Sequence, residues 1–196
     1  QRGFDRSYVL VEGSADFFRV YPALAELPDV NYRLDGRKHP PAEPFYITDV
    51  YTDYALQFIR ELDEEKPFFG YLTYTAPHYP LQAPDSFIRQ YDGVYEAGYA
   101  AIREARLKNM VSLGVIENSN ASPPSPLWPR WNQLSATQQA FEARRMTVYA
   151  AMIAAMDAQL SRVIKALEDS GRLENTLIVF LSDNGPEGGN PLDWAD

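Results

Sequence analysis

The sequence contains no cysteine. A disulfide framework and a thiolate-ligated metal centre are therefore excluded within these 196 residues, and the redox compartment leaves no mark on the chain. No stretch has the length of uncharged apolar sequence that a membrane-spanning helix needs. Basic residues are outnumbered, 18 Lys and Arg against 27 Asp and Glu. The resulting net charge of −9 sets the chain against nonspecific binding to nucleic acid or to an anionic membrane. Neither a signal peptide nor an initiator methionine opens the chain at "QRGFDRSYVLVEG", and "EGGNPLDWAD" closes it in loop composition. The sequence thus reads as a piece of a longer protein. No internal repeat at a fixed period is present.

What is there suits a packed globular protein: 45% hydrophobic residues, 13% aromatic, in a length that fits one sizeable domain. "SYVLV" (7–11) reads as a buried strand, and the Pro-, Gly- and charge-rich stretch to Pro44 as loop with little regular structure. From Thr48 the pattern turns helical, with Thr48 or Asp49 as cap and Tyr51, Tyr54 or Ala55, Phe58 and Leu62 on one face. "FFGYLTY" (68–74) is an expected strand. A second helical stripe runs through Met146, Tyr149, Ile153, Met156, Leu160, Val163, Ile164 and Leu167, with Gly171 placed as its C-terminal cap. "NTLIVFLS" follows as another apolar strand. Residues 95–113 form a further helix, and the Pro- and Ser-rich stretch from Glu117 to Leu134 a loop in which Trp128 and Trp131 serve as anchors or pocket rim. Helices alternating with continuous apolar strands predict an α/β architecture with a mostly parallel sheet flanked by helices.

Both apolar strands run into polar residues. Asp183, Asn184 and Gly185 follow "TLIVFLS", where they form either a simple turn or a ligand site at the carboxyl end of a sheet. His78 follows "FFGYLTY" and sits between Pro77 and Pro80, which restrict the backbone around it. It either bonds a neighbouring loop or meets a ligand in one fixed geometry. If the two strands share one parallel sheet, an imidazole and two oxygen donors lie on the same edge. Such donors suit calcium or magnesium, and a hard cation beside an imidazole suits an anionic ester. Asp157 reads as a helix-boundary or supporting residue, His39 as solvated, and the charges from Arg103 to Lys108 as an exposed helix face. Asn120-Ala121-Ser122 is a formal glycosylation sequon without secretory context.

The order and spacing of "PFFGYLTYTAPHYPLQAP", "YEAGYAAIREARLKNMVSLGVI" and "MDAQLSRVIKALEDSGRLENTLIVFLSDNG" resemble the type I sulfatases, the arylsulfatases of the alkaline phosphatase superfamily. "RGFDRSY" and "YITDVYTDYALQFI" extend the resemblance nearly end to end. It implies an alkaline-phosphatase-like fold, with residues 1–196 part of a single catalytic domain, and hydrolysis of small-molecule sulfate esters. His78 takes the place of the histidine that contacts sulfate, and Asp183 and Asn184 match the calcium-ligating pair. The family's nucleophile is a formylglycine made in a C/S-x-P/A-x-R motif, whose hydrated aldehyde attacks sulfur. That motif does not occur here, since Ser122-Pro123-Pro124-Ser125 lacks the arginine. The early aspartates of the calcium shell are likewise expected upstream of Gln1, so the segment alone is expected to be inactive. Two rivals stand beside this reading: a phosphate or phosphonate monoester hydrolase of the same superfamily, and a noncatalytic module.

Overall fold

Asp35 and Gly36 turn the chain back on itself. Both have positive φ, 50° and 82°. A two-residue type I′ hairpin demands that of both its central positions, and Asp-Gly supplies it at low steric cost. The turn joins β2 (Tyr32–Leu34) to β3 (Arg37–Lys38), with Leu34 opposite Arg37. On the other side of β2 lies β1 (Tyr8–Leu10), also antiparallel, with Tyr8 opposite Leu34 and Leu10 opposite Tyr32. The Asp35 carboxylate pins the turn by accepting the Ser7 N–H at 2.8 Å and Arg6 Nε at 2.9 Å. The expected strand over 7–11 is present but short, and Val9 is 40% exposed, so it is not covered on both faces. The hairpin lies where loop was expected.

The computed structural model describes residues 3–23, 29–63, 66–117 and 130–185. They form two compact units, the first made of 1–92 and 147–176, the second of 93–146 and 177–196. Three helices belong wholly or partly to the first unit: α1 (Ile47–Arg60), α2 (Asp85–Ile88) and the later part of α4 (Ala136–Asp169); α3 lies in the second. The core of the first unit gathers Phe17, Tyr32, Tyr46, Ile47, Tyr51, Ala151, Met152 and Ala155, all buried. Tyr8 stacks on Tyr54 at a centroid distance of 4.0 Å beside them.

Helix α1 begins just ahead of its expected cap. Tyr46 is the extended N-cap residue, and the buried face is Ile47, Thr48, Tyr51, Thr52 and Leu56 rather than a stripe through Phe58 and Leu62. Thr52 tolerates burial because its hydroxyl bonds the Thr48 carbonyl at 3.0 Å and the Tyr74 hydroxyl at 2.8 Å. Of the stripe expected on helix α4 only Leu167 is fully buried, and Met146, Tyr149, Met156, Leu160 and Val163 are half-buried. Ala151 and Ala155 are fully inaccessible beside Met152, while Ile153 and Ile164 are 39% and 43% exposed. Small side chains let a helix backbone approach its neighbours closely, so the alanine row faces the core. Arg162 of α4 pairs with Asp53 of α1 at 2.7 Å. The helix stops where Gly171 was expected to cap it: Gly171 N–H donates to Glu168 O and Arg172 N–H to Leu167 O, the paired bonds of a Schellman ending.

Burial is the main influence that raises the phenols of Tyr8, Tyr32 and Tyr51, and it pushes Tyr46 up to about 12. A phenol raised in the folded state contributes stability that is complete below its unfolded value of about 10 and is lost as pH climbs through the folded value. Stability of the first unit is therefore expected to hold to about pH 10 and to fall between about 10 and 12. Absorbance at 295 nm should show these tyrosines ionising together with loss of ellipticity. Titration complete before any loss of structure would contradict the packing described.

The second unit contains α3 (Gly98–Ser112), a 3₁₀ turn at Trp131–Gln133 and the opening of α4. Ser135 and Gln138 form a capping box for α4: Ser135 N–H donates to Gln138 Oε1 at 2.9 Å, and Gln138 N–H to Ser135 Oγ at 3.3 Å. Trp131 packs edge-on against Tyr99 at 5.0 Å and lies over Gly98. The buried Glu142 carboxylate accepts from Tyr99 OH at 3.0 Å and from Arg145 Nη1 at 2.8 Å.

Neither expected parallel strand forms a ladder among the described residues. Residues 68–74 carry no regular secondary structure: Leu72 and Tyr74 are half-buried against the core, Phe68 is half-buried, and Phe69 and Tyr71 are 77% and 73% exposed. Leu177, Ile178, Val179, Phe180 and Leu181 are each at least 48% exposed. A strand exists only through hydrogen bonds to a neighbour, and the described residues offer these segments none. The sheet that does form is antiparallel. The expectations for residues 118–129, which include the sequon at Asn120, Ser122, Ser125 and Trp128, lie outside the described residues, as does "EGGNPLDWAD".

Candidate active-site segments

His78 stands at the crest of a strap, residues 76–83, whose ends are sealed into the core by Ala76 and Ala83, each 6% exposed. Its backbone N–H donates to the Thr75 carbonyl at 2.9 Å. The exposed ring places Nδ1 2.8 Å from the carbonyl oxygen of Tyr79. A carbonyl can only accept, so Nδ1 carries the proton and the neutral ring has its lone pair on Nε2. Any proton or hydrogen bond exchanged with a ligand therefore passes through Nε2.

The strap is tied to residues 14–17. Ser14 Oγ donates to the same Tyr79 carbonyl at 3.3 Å. Gln82 uses both ends of its amide: Oε1 accepts the Phe17 N–H at 2.8 Å, and Nε2 donates to Asp16 Oδ2 at 2.9 Å. Burial pushes the Asp16 carboxyl up, but hydrogen bonds from Arg19, Gln82 and the Phe18 N–H outweigh it and hold the group below the usual carboxylate range. No spacing rule in the sequence joins Asp16 to Gln82, which lie 66 positions apart, so neither was singled out there.

Asp183 and Asn184 lie in a bend directly after the apolar run, and both are exposed. Asn184 Nδ2 donates to the Gly185 carbonyl at 2.7 Å, which leaves Oδ1 as the amide's acceptor. The Ser182 hydroxyl caps the bend by donating to the Asn184 carbonyl. A carboxylate and an amide oxygen in sequence fit a hard cation as two of the six to eight oxygens it takes. Among the described residues no group of three or more His, Asp or Glu side chains is arranged to hold a metal. His78 belongs to the first unit and Asp183 and Asn184 to the second. Asp157 and His39 are exposed, and the His39 ring packs edge-on to Tyr8 and Tyr54.

The fold is α/β and alkaline-phosphatase-like. It matches a crystal structure of Ps i-CgsB in complex with k-i-k-neocarrahexaose with a TM-score of 0.51 at 22% identity, over 87% of this chain and 30% of that one. The sulfatase family model matches residues 2–195, and the chain belongs to the sulfatase family. It is 37% identical over 186 residues to an arylsulfatase of Klebsiella aerogenes, covering 94% of this chain and 40% of that protein. An uncharacterized sulfatase of Schizosaccharomyces pombe is 34% identical over 197 residues, with 96% and 36% covered. The chain thus spans well under half the length of these two relatives.

Proposed function

We propose that the protein hydrolyses sulfate monoesters, with residues 1–196 forming part of a single catalytic domain. The observation that carries this reading is the sulfatase match across residues 2–195 together with 37% identity to an arylsulfatase. His78 contacts the sulfate through Nε2, since Nδ1 is engaged on Tyr79; in the imidazolium form both nitrogens donate and Nε2 hydrogen-bonds an anionic oxygen. Asp183 and Asn184 supply two oxygen ligands to calcium, and the rest of the shell comes from outside these residues. Calcium, when bound, offsets negative charge on the ester. The nucleophile is a formylglycine, also contributed from outside the segment.

The protein expressed from its full reading frame is expected to release nitrophenol from an aryl sulfate faster than from the matching aryl phosphate. Preference for the phosphate would replace this reading with its phosphatase rival. Turnover of neither, with no formylglycine motif in the full frame, would favour a noncatalytic module.

A further inference from the structure

We propose that Asp16 and Gln82 are positioning residues for His78, a buried donor–acceptor pair that holds the 76–83 strap so that Nε2 of the imidazole faces one direction. The inference rests on the role given to His78 in sulfate binding. A histidine on an exposed loop samples many orientations unless the backbone beneath it is anchored. Here the anchors come from one short segment. Ser14 grips Tyr79, the residue whose carbonyl also accepts the hydrogen bond from His78 Nδ1, while Asp16 and Phe17 grip Gln82. Tyr46 OH, from outside that segment, adds a fourth tie by donating to the Gln82 backbone carbonyl at 3.2 Å.

The pair has a fixed polarity. Both carboxylate oxygens of Asp16, itself 5% exposed, are engaged: Oδ1 by the Phe18 N–H at 2.8 Å, and Oδ2 by Gln82 and by Arg19 at 2.9 Å. An ionised carboxylate only accepts, and the Phe17 N–H only donates. Gln82 therefore cannot rotate its amide by half a turn without setting its carbonyl oxygen against Asp16 and its NH₂ against the Phe17 N–H. Loss of either partner leaves a buried polar group unsatisfied and frees the strap beneath His78.

The test exchanges donor and acceptor. In the protein from the full reading frame, Gln82→Glu and Asp16→Asn are each expected to lower kcat/KM for an aryl sulfate at least about tenfold, the scale of a displaced catalytic group. Gln82→Glu sets two carboxylates together, and Asp16→Asn sets an amide against an amide without the charge that fixes polarity. In the double variant the amide introduced at position 16 can donate to the carboxylate introduced at position 82. Recovery to within about threefold of wild type is then expected, because the restored pair couples the two sites. A double variant no better than the poorer single overturns the proposal, as do singles that match wild type while His78→Ala is impaired.

Hydrogen–deuterium exchange over residues 76–83 gives a second reading that needs no substrate. Faster exchange in each single variant and its reversal in the double support the clamp, and unchanged exchange overturns it. Ser14→Ala is the milder variant should the buried changes prevent folding. It is expected to quicken exchange at residues 78–81 without shifting Tm, and the absence of that effect counts against the proposal. If His78→Ala itself leaves kinetics unchanged, the sulfate role of His78 fails, and the exchange result alone decides whether the clamp exists.

Discussion

His78→Ala in the protein from the full reading frame is expected to lower kcat/KM for an aryl sulfate by about 10²- to 10⁴-fold, the range a positioned acid–base group contributes. The ring is exposed and buries little, so Tm should barely move; surface changes cost within about 0.5 kcal/mol. The Nδ1 bond to Tyr79 gives the prediction a finer edge. Asparagine can reproduce the Nδ1 donor but does not reach the Nε2 position. Glutamine reaches that position with its own N–H. His78→Gln should therefore retain more activity than His78→Asn, and His78→Asn should resemble His78→Ala. Steady-state kinetics on the three variants decides the matter, and equal activity in all of them would remove Nε2 from the chemistry.

Gly98→Ala is expected to destabilise the second unit by about 2 to 5 kcal/mol, the sum of a backbone cost and a packing cost, read as a shift in the urea midpoint. Gly98 has φ of +83°, a left-handed conformation costing an alanine about 1–2 kcal/mol. A Cβ there would also sit 2.5 Å from the Cγ and Cδ2 atoms of Trp131 and 2.7 Å from its Cδ1. The indole packs edge-on against Tyr99, and the Trp131 backbone carbonyl accepts from Gln139 Nε2 at 2.9 Å, so moving the ring away costs packing. Overpacking of this kind costs about 1–3 kcal/mol. In a Trp131→Ala background the clash disappears, and Gly98→Ala should then cost only its backbone share. An equal loss in both backgrounds would show that the ring contact contributes nothing.

Helices were legible in the sequence because their signals are local. The three- and four-residue period located α1 and α4, and Gly171 marked the end of α4. The start of α4 lies well upstream of Met146, where the visible stripe of large apolar side chains opens, although Ser135 and Gln138 spell a capping box. That stripe was also incomplete: the helix buries alanines, whose small size is invisible to a count of bulky hydrophobes. Runs such as "FFGYLTY" and "TLIVFLS" give no information about which strand lies alongside, and the ladders expected for them are not formed by the described residues. Asp35-Gly36 carried a hairpin signal that the surrounding prolines obscured. His78, Asp183 and Asn184 stood out because polar residues end apolar runs, whereas Asp16 and Gln82 meet only through the fold.

Leu177 to Leu181 is uncharged, free of proline and glycine, rich in β-branched and aromatic residues, and open to water along its whole length. Those are the attributes of a segment that stacks on copies of itself into dry, interlocked filaments. Where this stretch lacks a neighbouring strand it is expected to favour concentration-dependent, thioflavin-positive aggregation, and a lysine substituted at Val179 is expected to reduce it.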